Sequence, residues 1–316
     1  MQVHRDITHL PYFKNAVITI GTFDGVHTGH LQIIHQLHKE AVSVNGETVI
    51  VTFDPHPRMI VQAKHGGKAS IQLLNTLPEK IALLGSQQID HLVIVPFTQE
   101  FSEQNAVKYI QDFLVEKFHP HSIIIGYDHR FGHNRQGDYK LLESYQSVFN
   151  YTVREIPEHV LHHSAISSTK IRHALAEGDT ATANEYLGYP YFFSGIVVQG
   201  NQLGRTIGYP TANIAVADSS KLIPANGVYA VELSLPGHAD TPLLRGMMNI
   251  GLRPTVGGTT KMIEVHIFSF DQDIYGQEIK IYVKHFLRKE KKFEGLAALQ
   301  AQLAQDQVNA LRFLAG

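Results

Sequence analysis

The sequence predicts an α/β plus β protein: an N-terminal doubly wound parallel sheet followed by a small antiparallel β-barrel with a terminal helix. Three observations carry that expectation. From Val17 to about Leu187 short apolar runs alternate with helical patterns, the form that βαβ units take in a sequence. Past Gly188, β-branched and aromatic runs follow one another across Gly, Pro and Asn turns without helical pattern between them, as in a small barrel. The 316 residues also exceed the size at which one hydrophobic core keeps growing. Two domains, 1–187 and 188–316, are therefore expected.

Val17–Ile20 reads as the first buried strand. Leu31, Ile34 and Leu37 then fall at helical spacing, and Asn45-Gly46 stops that helix before a strand over 48–53, completing one right-handed crossover. The pattern repeats with a helix from near Pro78, a strand over 91–97, a helix over about 103–118, and strands at Ser122–Gly126 and 151–156. Ser167-Ser168-Thr169 is a candidate cap for a last pair of helices. In the second half strands are expected over 192–198, 227–235, 246–250, 263–270 and 279–286. Leu299, Leu303, Leu311 and Leu314 would share one side of a terminal helix covering the barrel.

A formal charge of −2 and a pI near 6.9 give no overall field to gather nucleic acid or an anionic membrane. Neither is expected as a partner, and no obligate protein partner is evident. With no cysteine there is no disulfide, thiolate metal site or thiol nucleophile, which points to a cytoplasmic protein. The N-terminus lacks an apolar leader segment, and no run approaches the roughly 18 to 20 apolar residues of a membrane span. Most of the twenty histidines, such as His4, His9 and His91, are scattered singly and are expected at surface or satisfied polar positions, because a metal needs convergent ligands.

Chemistry concentrates where the first strand meets the first helix, in Gly21-Thr22-Phe23-Asp24-Gly25-Val26-His27-Thr28-Gly29-His30. Glycines let backbone N–H groups approach phosphate oxygens, and the helix N-terminus adds partial positive charge. His27 and His30, three residues apart, share a helix face. Such an array suits the charge of a pentacovalent phosphorus. The blander alternatives are a tight turn with incidental histidines or a metal pair lacking a near third ligand. Neither a GxxxxGK[ST] loop nor GxGxxG occurs. The H-x-G-H spelling resembles the nucleotidyltransferase superfamily, whose members attack the α-phosphate of ATP or CTP. Ser167-Ser168-Thr169-Lys170-Ile171-Arg172 brings hydroxyls, a helix terminus and two cations that can hold departing phosphates.

Two further loops, Thr52-Phe53-Asp54-Pro55-His56-Pro57 and Gly126-Tyr127-Asp128-His129-Arg130-Phe131-Gly132, follow predicted strands. With the two motifs above, they resemble the bacterial bifunctional riboflavin kinase/FMN adenylyltransferases, or FAD synthetases. The second half agrees independently, since Gly204-Arg205-Thr206-Ile207-Gly208-Tyr209-Pro210-Thr211-Ala212-Asn213 is similar to that family's kinase signature. So are Asn249-Ile250-Gly251-Leu252-Arg253-Pro254-Thr255, Glu264-Val265-His266 and Phe286-Leu287-Arg288.

The resemblance implies that riboflavin, FMN and ATP are substrates and that Mg2+ is the cofactor. It makes His27 and His30 transition-state stabilisers and assigns ATP to Gly21, Phe23, Asp24, Ser168, Thr169, Lys170 and Arg172, with Asp54 and Asp128 on the FMN side or at metal. In the kinase half it gives ATP to Gly204, Arg205, Gly208, Pro210, Thr211 and Asn213, and the metal to Thr211 and Asn213. Glu264 becomes the base for the ribityl 5′-hydroxyl, and Arg288 is assigned to flavin or loop closure. Two residues depart from the pattern: His129 stands where Phe is expected, and Lys170 replaces the commoner Arg, keeping the charge but losing the bidentate fork. One rival reading gives the first half a different acceptor; another makes the barrel a nucleic-acid or protein-binding module, which would need a basic face interleaved with aromatics.

Overall fold

The computed structural model describes residues 1–64, 71–157, 166–200, 203–236, 242–255 and 258–315; for 64, 203, 253–255 and 258–260 it describes the backbone alone. By packing the chain forms two compact units, Met1–Ser168 and Thr169–Gly316.

The first unit is built on six parallel strands: β1 (Gln2–His4), β2 (Val17–Ile20), β3 (Thr48–Asp54), β4 (His91–Pro96), β5 (Ser122–Gly126) and β6 (Thr152–Ile156). They are ordered β1-β4-β3-β2-β5-β6. The four central strands are buried on both faces, which is why they read as continuous apolar runs. Alternate residues feed two cores. Ile18, Ile20, Val49, Val51, Val93 and Val95 pack with Phe113 and Phe118 on one face; Val17, Ile50, Leu92 and Ile94 pack with Ile34 and Leu37 on the other. β1 is a three-residue exposed edge strand, too short and polar to leave a pattern in the sequence.

Helix Thr28–Val44 ends where Asn45 takes the left-handed conformation, φ 50°, and Gly46 N–H reaches back to the Ala41 carbonyl at 2.8 Å. The helix expected over about 103–118 is present over 106–118, with its start moved to Asn105 and its middle rewound. A separate short helix, Gln99–Ser102, precedes Asn105, whose side chain accepts from Val107 N–H and starts the helix. Tyr109–Val115 is then wound as a π-helix. Tyr109, Ile110, Phe113 and Leu114 are its buried positions, a one-face spacing that reads in sequence as an ordinary α-helix and so gives no sign of the π-winding.

The second unit closes six antiparallel strands into a barrel: β7 (Tyr191–Val198), β8 (Ala212–Ala215), β9 (Gly227–Ser234), β10 (Leu244–Thr255), β11 (Gly258–Ile267) and β12 (Glu278–Arg288), in the order β10-β11-β8-β7-β12-β9. Register shifts at Val283/His285 and Phe286/Arg288 bend β12, the device by which small barrels turn corners. β8, four residues long, had no separate signal in the sequence. Helices Ser168–Glu177 and Thr180–Leu187 are tied to the barrel strands: Thr180 Oγ1 accepts from Phe286 N–H at 3.1 Å, and Asn184 donates to the Val283 carbonyl at 3.0 Å. On the terminal helix Leu296–Leu314 the buried positions are Asp306, Ala310 and Leu314, with Leu303 packed beside them. Leu311, expected on that side, is 38% exposed; the stripe runs through 303, 306, 310 and 314, which puts a carboxylate where apolar counting looked only for leucine.

Candidate active sites

In the first unit the strand order reverses between β2 and β5, so their C-terminal ends splay apart and open a crevice. The Gly21–His30 turn follows β2, the Gly126–Gly132 loop follows β5, and Asp54 ends the neighbouring β3. Topology thus explains why these three loops, distant in sequence, share one edge.

The turn is conformationally tight. Phe23, Gly25 and Val26 have φ of 47°, 90° and 37°; only the glycine takes such a value without cost, and strain of this kind concentrates at functional sites. Asp24 is buried, and its Oδ1 accepts from Leu74 N–H at 2.9 Å and Asn75 N–H at 3.3 Å. Its backbone carbonyl accepts the Ser168 hydroxyl at 2.9 Å. Asp24 therefore braces the turn against two other segments. His27 is the N-cap of helix Thr28–Val44, its Nδ1 accepting from His30 N–H at 3.4 Å, and the two imidazoles stack at 3.7 Å between centroids. Phe23 lies 4.9 Å from the His30 ring. Burial, then the charges of His27 and Lys80, hold the His30 pKa well below its ordinary value. Its buried Nδ1 has no hydrogen-bond partner among the described residues.

Asp54 and Asp128 are exposed at the strand ends. Thr169, Lys170 and Arg172 lie on the first turns of helix Ser168–Glu177 in the second unit. His129, the departure from the expected Phe, is pushed down to about 4 by burial, with Asp128 opposing and Arg135 reinforcing. Its folded pKa lies below the unfolded value, so the unfolded chain binds the extra proton and stability falls as pH drops from about 6.5 to 4. His129→Phe is expected to remove that acid loss, read from urea unfolding at about pH 7 and pH 4.5; an unchanged pH dependence would contradict it.

In the second unit a cavity of about 430 Å³ is lined by Gly204, Thr211, Asn249, Glu264, His266 and Arg288, among others. Asn249, Glu264 and Asn213 are direct register partners across β10, β11 and β8, so the three stand in one row. Asn213 is buried within that row and does not line the cavity, whereas Thr211 does. Along β11 Ile263, Val265 and Ile267 are buried, while Glu264 and His266 alternate onto the cavity side. The Gly204–Pro210 loop is closed by Tyr209 N–H on the Gly204 carbonyl at 2.8 Å. A Cβ on Gly204 would collide with the Tyr209 carbonyl. His266 Nδ1 donates to the Pro210 carbonyl at 2.7 Å, fastening this loop to the barrel. Arg205 is exposed on the loop's short helix, and Gly208 has φ 81°. From the Asn249 motif, the side chains of Arg253, Pro254 and Thr255 fall outside the described residues.

Arg288 lines the cavity while its Nε and Nη2 grip Asp306 at 2.7 to 3.0 Å and its Nη1 donates to the Lys289 carbonyl. Asp306 is 1% exposed, so removing its cation strands a buried carboxylate. Arg288→Met is expected to cost the barrel about 3–5 kcal/mol, measured as loss of Tm, and the double change with Asp306→Leu should recover most of it.

Sequence reasoning did not single out Lys80 or Asp306, and it quoted His266 within the Glu264-Val265-His266 motif without a role for it. For Lys80 a signal existed: it stands four residues before the buried Leu84, on the apolar face of helix Leu77–Gly85.

Compared with known proteins, residues 10–170 match the family model described as FAD synthetase and residues 187–314 that described as riboflavin kinase. A bifunctional riboflavin kinase/FMN adenylyltransferase of Haemophilus influenzae is 36% identical over 300 residues, 95% of this chain and 94% of the relative. One from Escherichia coli K12 is also 36% identical over 300 residues, 95% of this chain and 93% of the relative. One from Listeria monocytogenes is 37% identical over 302 residues, with the same 95% and 93%. A crystal structure described as a macrolide-efflux protein from Streptococcus pneumoniae is similar at TM-score 0.86 and 29% identity, covering 97% of both chains. No helix among the described residues here is long and apolar enough to cross a membrane. Two family models matched in tandem, and relatives matched over nearly their whole length, establish that the chain belongs to the bifunctional riboflavin kinase/FMN adenylyltransferase family.

Proposed function

We infer that this chain performs two successive ATP-dependent steps of flavin cofactor synthesis. The barrel domain, 188–316, phosphorylates riboflavin to FMN and releases ADP. The sheet domain, 1–187, joins FMN to AMP, giving FAD and pyrophosphate. The observation that carries this reading is that each half gathers its own set of polar and backbone groups suited to phosphate. One is a strained turn with stacked histidines at the sheet's switch point; the other is a cavity that brings the glycine loop, Thr211 and Glu264 together.

In the sheet domain an FMN phosphate oxygen attacks the α-phosphorus of ATP as the bond to pyrophosphate breaks. His27 and His30 stabilise the charge that builds on the phosphorus oxygens. Gly21, Phe23 and Asp24 seat the nucleotide, Ser168, Thr169, Lys170 and Arg172 take the departing pyrophosphate, and Asp54 and Asp128 face the FMN side. In the barrel Gly204, Arg205, Gly208 and Pro210 wrap the ATP phosphates. Glu264 takes the proton of the ribityl 5′-hydroxyl as that oxygen attacks the γ-phosphorus. Arg288, engaged by Asp306, serves loop closure at the cavity by holding the terminal helix. Thr211 and Asn213 offer neutral oxygens of the kind Mg2+ prefers; when bound, the ion neutralises phosphate charge. The enzyme works in the cytoplasm, in keeping with a sequence without cysteine.

The test is to incubate the purified protein with riboflavin, ATP and Mg2+ and to separate the flavins over time. FMN appearing first and FAD after it supports both assignments. Conversion of FMN alone would leave the barrel without its role, and no conversion of either flavin would overturn the reading.

A further inference from the structure

Lys80 has no assigned task, and its placement is physically expensive. It sits on helix Leu77–Gly85 with 6% of its surface exposed, and its ammonium makes no hydrogen bond or ion pair among the described residues. Burial lowers the pKa of this ammonium, against the charges of Asp24 and Asp54, so a side chain that merely filled this wall would serve better as methionine. The helix is docked against the nucleotide-transfer turn. Leu74 and Asn75, just before it, donate their N–H groups to Asp24. Thr76 and Glu79 then close a capping box that fixes its first turn. A second orphan lies within reach of its charge: His30, whose buried Nδ1 has no partner. The charge of Lys80 lowers the His30 pKa, and Asp24 and Asp54 act on Lys80 in turn. A buried imidazole nitrogen and a largely buried ammonium, neither of them hydrogen-bonded among the described residues, thus stand beside one strained turn.

We propose that Lys80 is a further phosphate-binding residue of the adenylyl-transfer site, its ammonium a preplaced counter-charge for phosphate oxygens of the nucleotide seated over the His27–His30 turn. This rests on the adenylyltransferase reading above. A cation held in a largely buried wall interacts more strongly with a phosphate than one in water, and it needs little reorganisation as negative charge grows on the phosphorus oxygens.

The experiment compares full-length Lys80→Met and Lys80→Arg with the wild type in three assays: FAD formation from FMN and ATP, riboflavin phosphorylation, and the Tm shift caused by pyrophosphate with Mg2+. Lys80→Met is expected to lower FAD formation roughly 10²–10³-fold, to leave phosphorylation unchanged, and to abolish the pyrophosphate shift. Its ligand-free Tm should be no lower than that of the wild type, and Lys80→Arg should restore part of the lost rate. FAD formation within about threefold of the wild type, or a pyrophosphate shift that survives in Lys80→Met, overturns the proposal even if the variant is less stable. Should the wild type itself make no FAD, the adenylyltransferase reading fails, while the pyrophosphate comparison still decides whether Lys80 binds phosphate.

Discussion

Glu264→Gln is expected to lower riboflavin phosphorylation by roughly 10²–10⁴ while FAD formation from supplied FMN survives. Glutamine keeps the shape and the hydrogen-bonding reach of the side chain but cannot take a proton, so the loss would measure the base and not the packing. The barrel gives the substitution a defined setting. Glu264 stands in register with Asn249 on one side and Asn213 on the other, and its strand neighbours Ile263 and Val265 are buried. The backbone at this position is therefore held by two strand partners whatever the side chain. Steady-state rates for both reactions on the same preparation check the outcome. An unchanged kinase rate would remove Glu264 from the mechanism.

His30→Ala should have the converse signature, a fall in FAD formation of roughly 10²–10³, the range for losing one preorganised donor, with riboflavin phosphorylation intact. Because burial, His27 and Lys80 keep its pKa well below 6.5, His30 is neutral at and above neutral pH. Its protonation therefore bears on the rate only on the acid side, and His30 should contribute no limb to the pH profile of FAD formation between about pH 7 and 8. Alanine also removes the ring stacked on His27 and packed near Phe23, so His30→Asn serves as the control that retains a polar side chain. Equal loss of both activities would sink the division of labour between the two halves.

The two predictions fall on residues that were legible for different reasons. His27 and His30 sit in a spelling, H-x-G-H, whose position between a buried strand and a helix could be read directly. Glu264 was legible as an acid within an apolar strand. Lys80 carried only the weak signal of its spacing to Leu84, because in one dimension a lysine next to Glu79 reads as a solvated pair. Asp306 was passed over likewise: its partner Arg288 is 18 residues away, and only the closed barrel brings the two together.

What the sequence determined by itself is local. Apolar runs buried on both faces, helix stops such as Asn45-Gly46, the alternation of β11 and the order of the motifs all follow from side-chain size, periodicity and backbone preference, which act over a few residues. Tertiary structure alone decided the rest. The pairing order that opens the crevice between β2 and β5, the edge strand β1, the π-wound Tyr109–Val115, and the row of Asn249, Glu264 and Asn213 each depend on contacts between residues far apart in the chain. Such contacts set which loops become neighbours and which charges lose their water, and those two outcomes gather dispersed motifs into compact sites.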